Sequence, residues 1–550
     1  MRTPATIPRG RLWLAILLFA VLWFGTIGER RLLNPDEGRY AEIPREMVAS
    51  GDWITPRLND LKYFEKPALQ YWATATAFSV FGEHHWTARL WPALTGFLGI
   101  LLTGYTAARL FNPLTGVVSA AVLAGSLWWT VIGHFNALDM GVSFFLSAAI
   151  FALCLSEHAG ATSTESRHWR HGAWALLGLA VLSKGLIGLV IPGAAVFAYV
   201  LWQRDWNLLV RLRIFQGLLM VTLITAPWFI AVSLANPEFP NFFFIHEHFE
   251  RFLTKVHARY QPPWFFIPVL LLGILPWIGA LPGALRSGFQ RDISVRFQPL
   301  RFLLVWMVVV FGFFSASSSK LAPYILPLFP ALSVLIAHHL LKGNSTKALS
   351  WVSAPVLVLA PLAIVLGNKI LARGNAESLA AYAGFLNWLY VALGGLALAG
   401  LLSLWFVRRQ QLLAAVLSLA LGGHLFAQAV LLGHDRHGTP NTGYDIAQRV
   451  LPQLPPRSVP FFSVTTYDQS LPFYLQRTMT LVQFGNEMTF GIGREPDKAI
   501  PDLASFEKTW RTLPQAWAVM SLETWQQFAT AQLPMIEVAR DTRRVVVHKP

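Results

Sequence analysis

The sequence predicts a polytopic α-helical membrane protein of about thirteen transmembrane helices that carries a C-terminal α/β domain. Three observations lead there. Of 550 residues, 54% are hydrophobic and 13% charged, where soluble domains carry about 25% charged residues. Apolar stretches long enough to span a bilayer recur from residue 12 to about 433. From residue 436 the apolar runs shorten, and strand-like and helix-like pieces alternate.

The N-terminus is basic, then apolar: Arg9 and Arg11 precede LWLAILLFAVLWFGTIG. It lacks a clean small-residue cleavage site and reads as an uncleaved first span. Spans are expected near 12–27, 88–110, 113–133, 138–156, 214–234, 263–285, 300–316, 322–341, 349–370, 386–407 and 412–433. Residues 172–202 are apolar apart from Lys184, too long for one straight span and short for two. Arg167 and Arg170 on one flank and Arg204, Arg211 and Arg213 on the other favour a tight hairpin with Lys184 at the outer turn, because basic flanks stay in the cytoplasm. A single tilted span with a snorkelling lysine is the alternative. With the hairpin, the N-terminus is inside and the C-terminal part outside. Arg109, Arg286, Arg291, Arg296, Arg301, Lys342, Lys347, Arg408 and Arg409 then fall on inner loops.

The first outer loop, residues 28–85, departs from that rule. It holds Arg30, Arg31, Arg39, Arg45, Arg57, Lys62 and Lys66 against Asp36, Glu37, Glu42, Glu46, Asp52, Asp60 and Glu65. Charge is costly at a membrane, so a crowded segment of this kind is solvated or pinned into a site. The expected division is a transmembrane catalytic domain, 1–435, including this loop, and an outer domain, 436–550. In the latter, PFFSV, TLVQF, QAWAVMSL and RRVVVHK read as strands, and YDQSLPFYLQ, LASFEKTWRTL and ETWQQFATAQ as helices. No nucleotide-type glycine fingerprint is present there.

The net charge of +15 has two readings, inner-loop arginines and a cavity for anionic lipid phosphates. A nucleic-acid partner is not expected, since no separate basic soluble domain is present. Cys154 is the sole cysteine, which excludes an intramolecular disulfide and a thiolate metal cluster.

Several residues have the types that chemistry needs. Asn34-Pro35-Asp36-Glu37 makes a good helix start, with Asn34 as N-cap and Pro35 in the first turn. A cap alone does not need two carboxylates with Arg39 and Tyr40 one turn on. Tyr63-Phe64-Glu65-Lys66-Pro67 reads as a solvated turn, or as a carboxylate and an ammonium facing a cavity, one for a cation and one for a phosphate. Asn136 and Asp139 have capping-box spacing near the outer surface. Lys184 at an apolar apex contributes little to folding and points to function. Residues 236–262 suggest an interfacial amphipathic helix with His246 and Glu250 at i, i+4, a weak metal pair. Ser317-Ser318-Ser319-Lys320 leads into a prolyl re-entry that brings Lys320 and Tyr324 to the same outer surface. All these clusters are expected on one side, and that convergence outweighs any single motif.

NPDEGRYAEIPREM after a first span, then YFEKPALQYW, then KLAPYILP resembles the membrane glycosyltransferases of the GT-C fold. Within them the chain resembles the 4-amino-4-deoxy-L-arabinose lipid A transferases, with the protein O-mannosyltransferases as relatives. One departure is local, Ala322-Pro323 where the pattern often reads Pro-x. The resemblance implies an inverting transfer of aminoarabinose from undecaprenyl phosphate to lipid A phosphates, a lipopolysaccharide modification tied to polymyxin resistance. It implies an enzyme of the bacterial inner membrane that works from the periplasmic face, as a monomer. It places Asp36 and Asp139 at the two acidic positions. Arg39, Tyr40, Tyr63, Lys66, Lys184 and Arg251 match lipid- and phosphate-binding positions. Glu65 and His246 match a divalent-metal site, which zinc suits by ligand type.

A lipid phosphate leaves as a stable anion, so fixed cations matter more than a general acid. A lipid A phosphate is already ionised near neutral pH, whereas a Ser or Thr acceptor would demand a base. Asp36 is therefore expected either to hold the donor's ammonium or to orient the acceptor. Two other functions compete, protein O-mannosylation and transport of lipid-linked sugars. Span interiors with few charges apart from Lys184 favour an enzyme over a transporter.

Overall fold

The computed structural model describes residues 8–250, 261–342, 345–371, 376–437 and 441–550. From the N-terminus come helices α1 (Arg9–Phe24), α2 (Asp36–Ser50), α3 (Leu69–Phe81), α4 (His85–Leu110), α5 (Pro113–Ala124), α6 (Leu127–Gly133), α7 (Leu138–Ser156), α8 (Ser163–Lys184) and α9 (Ile187–Gln203). The chain forms two compact units. One comprises Met1–Arg30, Arg89–Ala231 and Pro240–Thr439; the other comprises Arg31–Ala88, Val232–Phe239 and Pro440–Pro550. The charged first loop, expected within a 1–435 domain, thus clusters with the C-terminal residues.

The first unit is helical. Among the described residues, seven helices are long and apolar enough to cross a membrane, and nine spans result when each of two bent pairs counts as one. Two shorter apolar helices, Gly10–Phe24 and Ile187–Gln203, stand beside these. The figure of thirteen is therefore not reached by length and composition. Two expected single spans are broken. Residues 113–133 bend by 67° between α5 and α6. A Cβ on Gly125 at that bend would lie 2.5 Å from Ala420 Cα, so only glycine fits. Residues 263–285 bend by 112° between Pro263–Gly273 and Trp277–Gly288, with Pro276, which lacks an N–H, at the break.

The 172–202 stretch is two helices, as the flanking arginines predicted. Thr162 and Glu165 form a reciprocal capping box at the start of α8. Gly185 ends α8 with φ +90°, a conformation that favours glycine. A Cβ on Gly188 would lie 2.7 Å from Val181 N, so α9 crosses back close to α8.

In the second unit, α2 buries Glu37 through Met47 continuously. Its start differs from the expected cap. The helix begins at Asp36, and Asn34 does not cap it. Asn34 instead donates to Asp468 Oδ2 at 2.6 Å and accepts from Ser470 N at 2.9 Å. Strands β1 (Arg57–Leu58) and β2 (Leu61–Lys62) form a small antiparallel ribbon. The C-terminal residues form a six-stranded mixed sheet from β3 (Phe461–Val464), β4 (Thr480–Val482), β5 (Ala499–Ile500), β6 (Trp517–Ser521), β7 (Ile536–Arg540) and β8 (Arg544–His548). Its order is β5-β4-β3-β6-β8-β7. The β5-β4-β3-β6 half is parallel, and β8 pairs antiparallel with β6 and β7. Alternate residues Phe462 and Val464, Ala518 and Met520, and Val545 and Val547 share one core with Phe506, Trp510 and Phe528, and their neighbours Phe461, Ser463, Trp517, Val519, Arg544 and Val546 on the other face are buried as well.

Helix α2 packs on the segment that precedes Leu471–Leu475. A Cβ on Gly38 would lie 2.5 Å from Ser470 N and 2.6 Å from Gln469 C, both backbone atoms. Gly38→Ala is expected to destabilise this unit by about 1–3 kcal/mol. A lowered thermal midpoint of the detergent-purified protein would show it, and an unchanged midpoint would refute the close approach.

Candidate active site

Arg39 lies at the centre of a cluster of charged and aromatic side chains in the second unit. It sits in the first turn of α2, with its side chain 7% exposed. It pairs with Asp36 Oδ1 at 3.1 Å and with Glu487, which comes from the C-terminal residues. The guanidinium lies 5.9 Å from the ring centroids of Tyr40 and of Tyr63. Burial opposes the charge on Arg39, but Tyr63, Glu487, Tyr40 and Glu65 around it outweigh that and hold it protonated. Burial also pushes the Glu487 carboxyl above its usual range, against the pull of Arg39. Gln469 Nε2 fixes the other Glu487 oxygen at 2.6 Å. Asp36, by contrast, is 39% exposed.

The same neighbourhood carries buried polar atoms that the protein leaves unmatched. Arg39 Nε and the Tyr63, Tyr71 and Thr74 hydroxyls have no hydrogen-bond partner among the described residues. Such atoms cost stability unless something satisfies them. Burial raises the Tyr40, Tyr63 and Tyr71 phenols well above their ordinary range, so they stay neutral donors. Lys66 Nζ donates to Glu65 O at 2.6 Å and lies 3.8 Å from Glu65 Oε2.

The first unit holds a second cluster. Lys184, at the end of α8, pairs with Asp139, in the first turn of α7. Its ammonium lies 4.6 Å from the Tyr324 ring centroid, a cation–π distance. Tyr324 is on a 3-10 turn, Ala322–Leu328, pinned at both ends. Trp128 Nε1 donates to Ala322 O at 3.2 Å, and Trp306 Nε1 to Pro327 O at 2.9 Å. Asp139 does not cap α7, where Ala137 holds the N-cap position without a side-chain bond. Its carboxylate serves Lys184 instead.

The sequence-predicted residues thus fall into groups. Asp36, Arg39, Tyr40 and Tyr63 gather in one unit, with Glu65 and Lys66 in the same segment, and Asp139, Lys184 and Tyr324 gather in the other. Lys320 is buried, and its ammonium donates to Ser317 O and Gln261 O. Arg251 lies outside the described residues. Residues Asn241–Glu250 wind as a π-helix, so the i, i+4 argument for His246 and Glu250 loses its basis. The His246 ring stacks on Phe242 at 5.2 Å. Among the described residues, no three His, Cys, Asp or Glu side chains group as metal ligands. Glu487 and Gln469 escaped the sequence reading because nothing local marks them. Only the fold brings them to Arg39, 448 positions away in the case of Glu487.

Comparison with known proteins accords with this arrangement. Residues 446–549 match the family model "Aminoarabinose transferase C-terminal domain", and residues 11–243 match "Dolichyl-phosphate-mannose-protein mannosyltransferase". The undecaprenyl phosphate-alpha-4-amino-4-deoxy-L-arabinose arabinosyl transferase 1 of Proteus mirabilis is 33% identical over 508 residues, 87% of this chain and 86% of that protein. Crystal structures of ArnT from Cupriavidus metallidurans cover 98% of both chains. The apo form gives 38% identity and a TM-score of 0.91, and the form bound to undecaprenyl phosphate gives 37% and 0.93. The archaeal oligosaccharyltransferase AglB from Archaeoglobus fulgidus, at 15% identity, a TM-score of 0.54 and coverage of 95% of this chain and 71% of that one, shares the GT-C fold. With a third of its residues identical over most of both lengths, the chain belongs to the undecaprenyl phosphate-alpha-4-amino-4-deoxy-L-arabinose arabinosyl transferases.

Proposed function

We propose that this chain is an inverting glycosyltransferase that moves 4-amino-4-deoxy-L-arabinose from undecaprenyl phosphate to lipid A phosphates. It works as a monomer in the bacterial inner membrane, with its site open to the periplasm. The observation that carries this reading is the likeness, over 98% of both chains, to a structure that holds undecaprenyl phosphate. A buried cation set among neutral phenols supports it.

In the reaction, the bond from the sugar's anomeric carbon to the donor phosphate oxygen breaks. Its electrons remain on undecaprenyl phosphate. An acceptor phosphate oxygen bonds to the opposite face of the same carbon, which inverts it. No proton must move, because both phosphates are already anions. What the protein must supply is fixed positive charge and orientation. Arg39 offers a cation held by Asp36 and Glu487, and Lys184 offers one held by Asp139. Each is preorganised by its carboxylate, so neither must reorganise as charge develops. The partly exposed Asp36 is the group available to the sugar's ammonium. The mannosyltransferase likeness over residues 11–243 favours protein O-mannosylation as the second reading, and that reaction would need a base for a hydroxyl acceptor.

Mass spectrometry of lipid A from cells with and without this protein tests the assignment. An added aminopentose is expected only with the protein, and its absence with peptide mannosylation present would select the second reading. Asp36→Asn is expected to lower transfer by about 100-fold or more while leaving the fold intact. Near-normal transfer would remove Asp36 from the site. Lys184→Ala should raise the donor KM by about tenfold, the worth of one charge-assisted contact, with an unchanged thermal midpoint. Exhaustive chelation is expected to leave transfer intact, and a loss that zinc restores would return Glu65 and His246 to a metal role.

A further inference from the structure

A second concentration of arginine lies at the other end of α2. A cavity of about 280 Å³ is lined there by Arg45, Glu46, Arg57, Arg457, Arg477 and Thr478, among others. Four guanidiniums face two carboxylates, since Asp60 also lines it. The balance is less even than that count suggests. Arg45 is bound bidentately by Glu42, at 2.6 Å on each arm. Glu46 spends its oxygens on the backbone N–H groups of Asn59 and Asp60, and burial raises its pKa. Arg57 pairs with Glu495 at 3.0 Å, and Asp60 pairs with Lys498 at 2.9 Å.

Arg457 and Arg477 are left without a carboxylate among the described residues. Arg477 is 7% exposed, yet its hydrogen bonds go only to main-chain oxygens, Pro455 O at 3.2 Å and Val459 O at 2.7 Å, and its guanidinium lies 5.3 Å from the Phe461 ring centroid. Its Nε has no partner. Arg457 donates to Gln476 O at 2.9 Å. Burial, and then the charge of Arg457, lower the Arg477 pKa, the mark of two cations placed together without an anion. Arg457 is exposed, but the buried charge of Arg477 is costly unless it is paired, and a guanidinium with a spare N–H edge suits a phosphate oxygen.

We propose that this cavity binds a second phosphate of the acceptor, one that is not glycosylated. The proposal rests on the transfer to lipid A given above. Asp36 and Arg45 are nine positions apart on one helix, roughly 14 Å at 1.5 Å per residue. These positions lie half a turn apart around the helix, so an acceptor that carries phosphates at both ends of a saccharide would reach the Arg39 end and the Arg457 end by passing around α2. The cavity acts as a ruler that selects doubly phosphorylated acceptors.

The test uses the full-length protein in detergent. Transfer is measured with lipid A bearing two phosphates and with lipid A bearing one. The wild type is expected to show a KM about tenfold lower for the doubly phosphorylated acceptor. Arg457→Ala is expected to erase that ratio, with the donor KM unchanged. Arg477→Lys, which keeps a donor for the two carbonyls and so guards against misfolding, should shrink it. An unchanged ratio in both variants overturns the proposal. Binding of inorganic phosphate, read as a thermal-midpoint shift, forms a separate arm. If the wild type transfers nothing to lipid A, the functional reading has failed. A phosphate shift that Arg457→Ala abolishes would then still establish an anion site. Its absence, or an equal shift with phosphatidylglycerol vesicles alone, would refute an acceptor site.

Discussion

A guanidinium stripped of water is the constraint on which the second unit of this protein rests. Arg39 is buried, and an isolated buried charge is not tolerated in a folded protein. It persists because Asp36 and Glu487 compensate it and because two phenol rings present their faces to it. One of those carboxylates comes from the C-terminal residues. The first loop therefore cannot keep its charge without the domain that ends the chain. The contacts at Asn34, Gly38 and Asn59 extend the same dependence along the whole of α2 and its ribbon. Folding and chemistry share one set of interactions here.

The helical unit solves the same problem at smaller scale. A lysine at the end of an apolar helix needs an anion or an exit to water. Gly185 stops α8 at Lys184, and α7 begins with Asp139 beside it. The Tyr324 ring covers the pair from a turn that two tryptophan N–H groups hold in place. Lys320 looks equivalent in sequence but has carbonyls in place of a carboxylate. The two lysines differ in what lies opposite, a carboxylate for Lys184 and carbonyls for Lys320, and only the fold determines that.

Local signals made much of this legible. Hydropathy alone placed α7 over 138–156, and paired basic flanks gave the break at Lys184. Alternation gave β3, β6 and β8 in the C-terminal sheet. The bends at Gly125 and Pro276 were missed because apolar length does not register a close helix contact or a missing N–H. The capping readings at Asn34 and at Asn136 with Asp139 failed: Asn34 binds Asp468 and Ser470 instead, and the N-cap of α7 falls one residue later, at Ala137, while Asp139 pairs with Lys184. The cations of the site were readable as residue types near the first span. Their counter-charges were not, since Glu487 carries no local pattern.

The distance in sequence between Arg39 and Glu487 has a consequence for biogenesis. The loop leaves the ribosome with its first span, but its partner is made 448 residues later. At about 5–20 residues per second, the interval is on the order of tens of seconds. Throughout that time α2 lacks the C-terminal residues that its buried face packs on. A chain cut short before its last hundred residues lacks Glu487 and the Gln469–Ser470 backbone, so Arg39 loses one of its two carboxylates and Gly38 the surface it packs on.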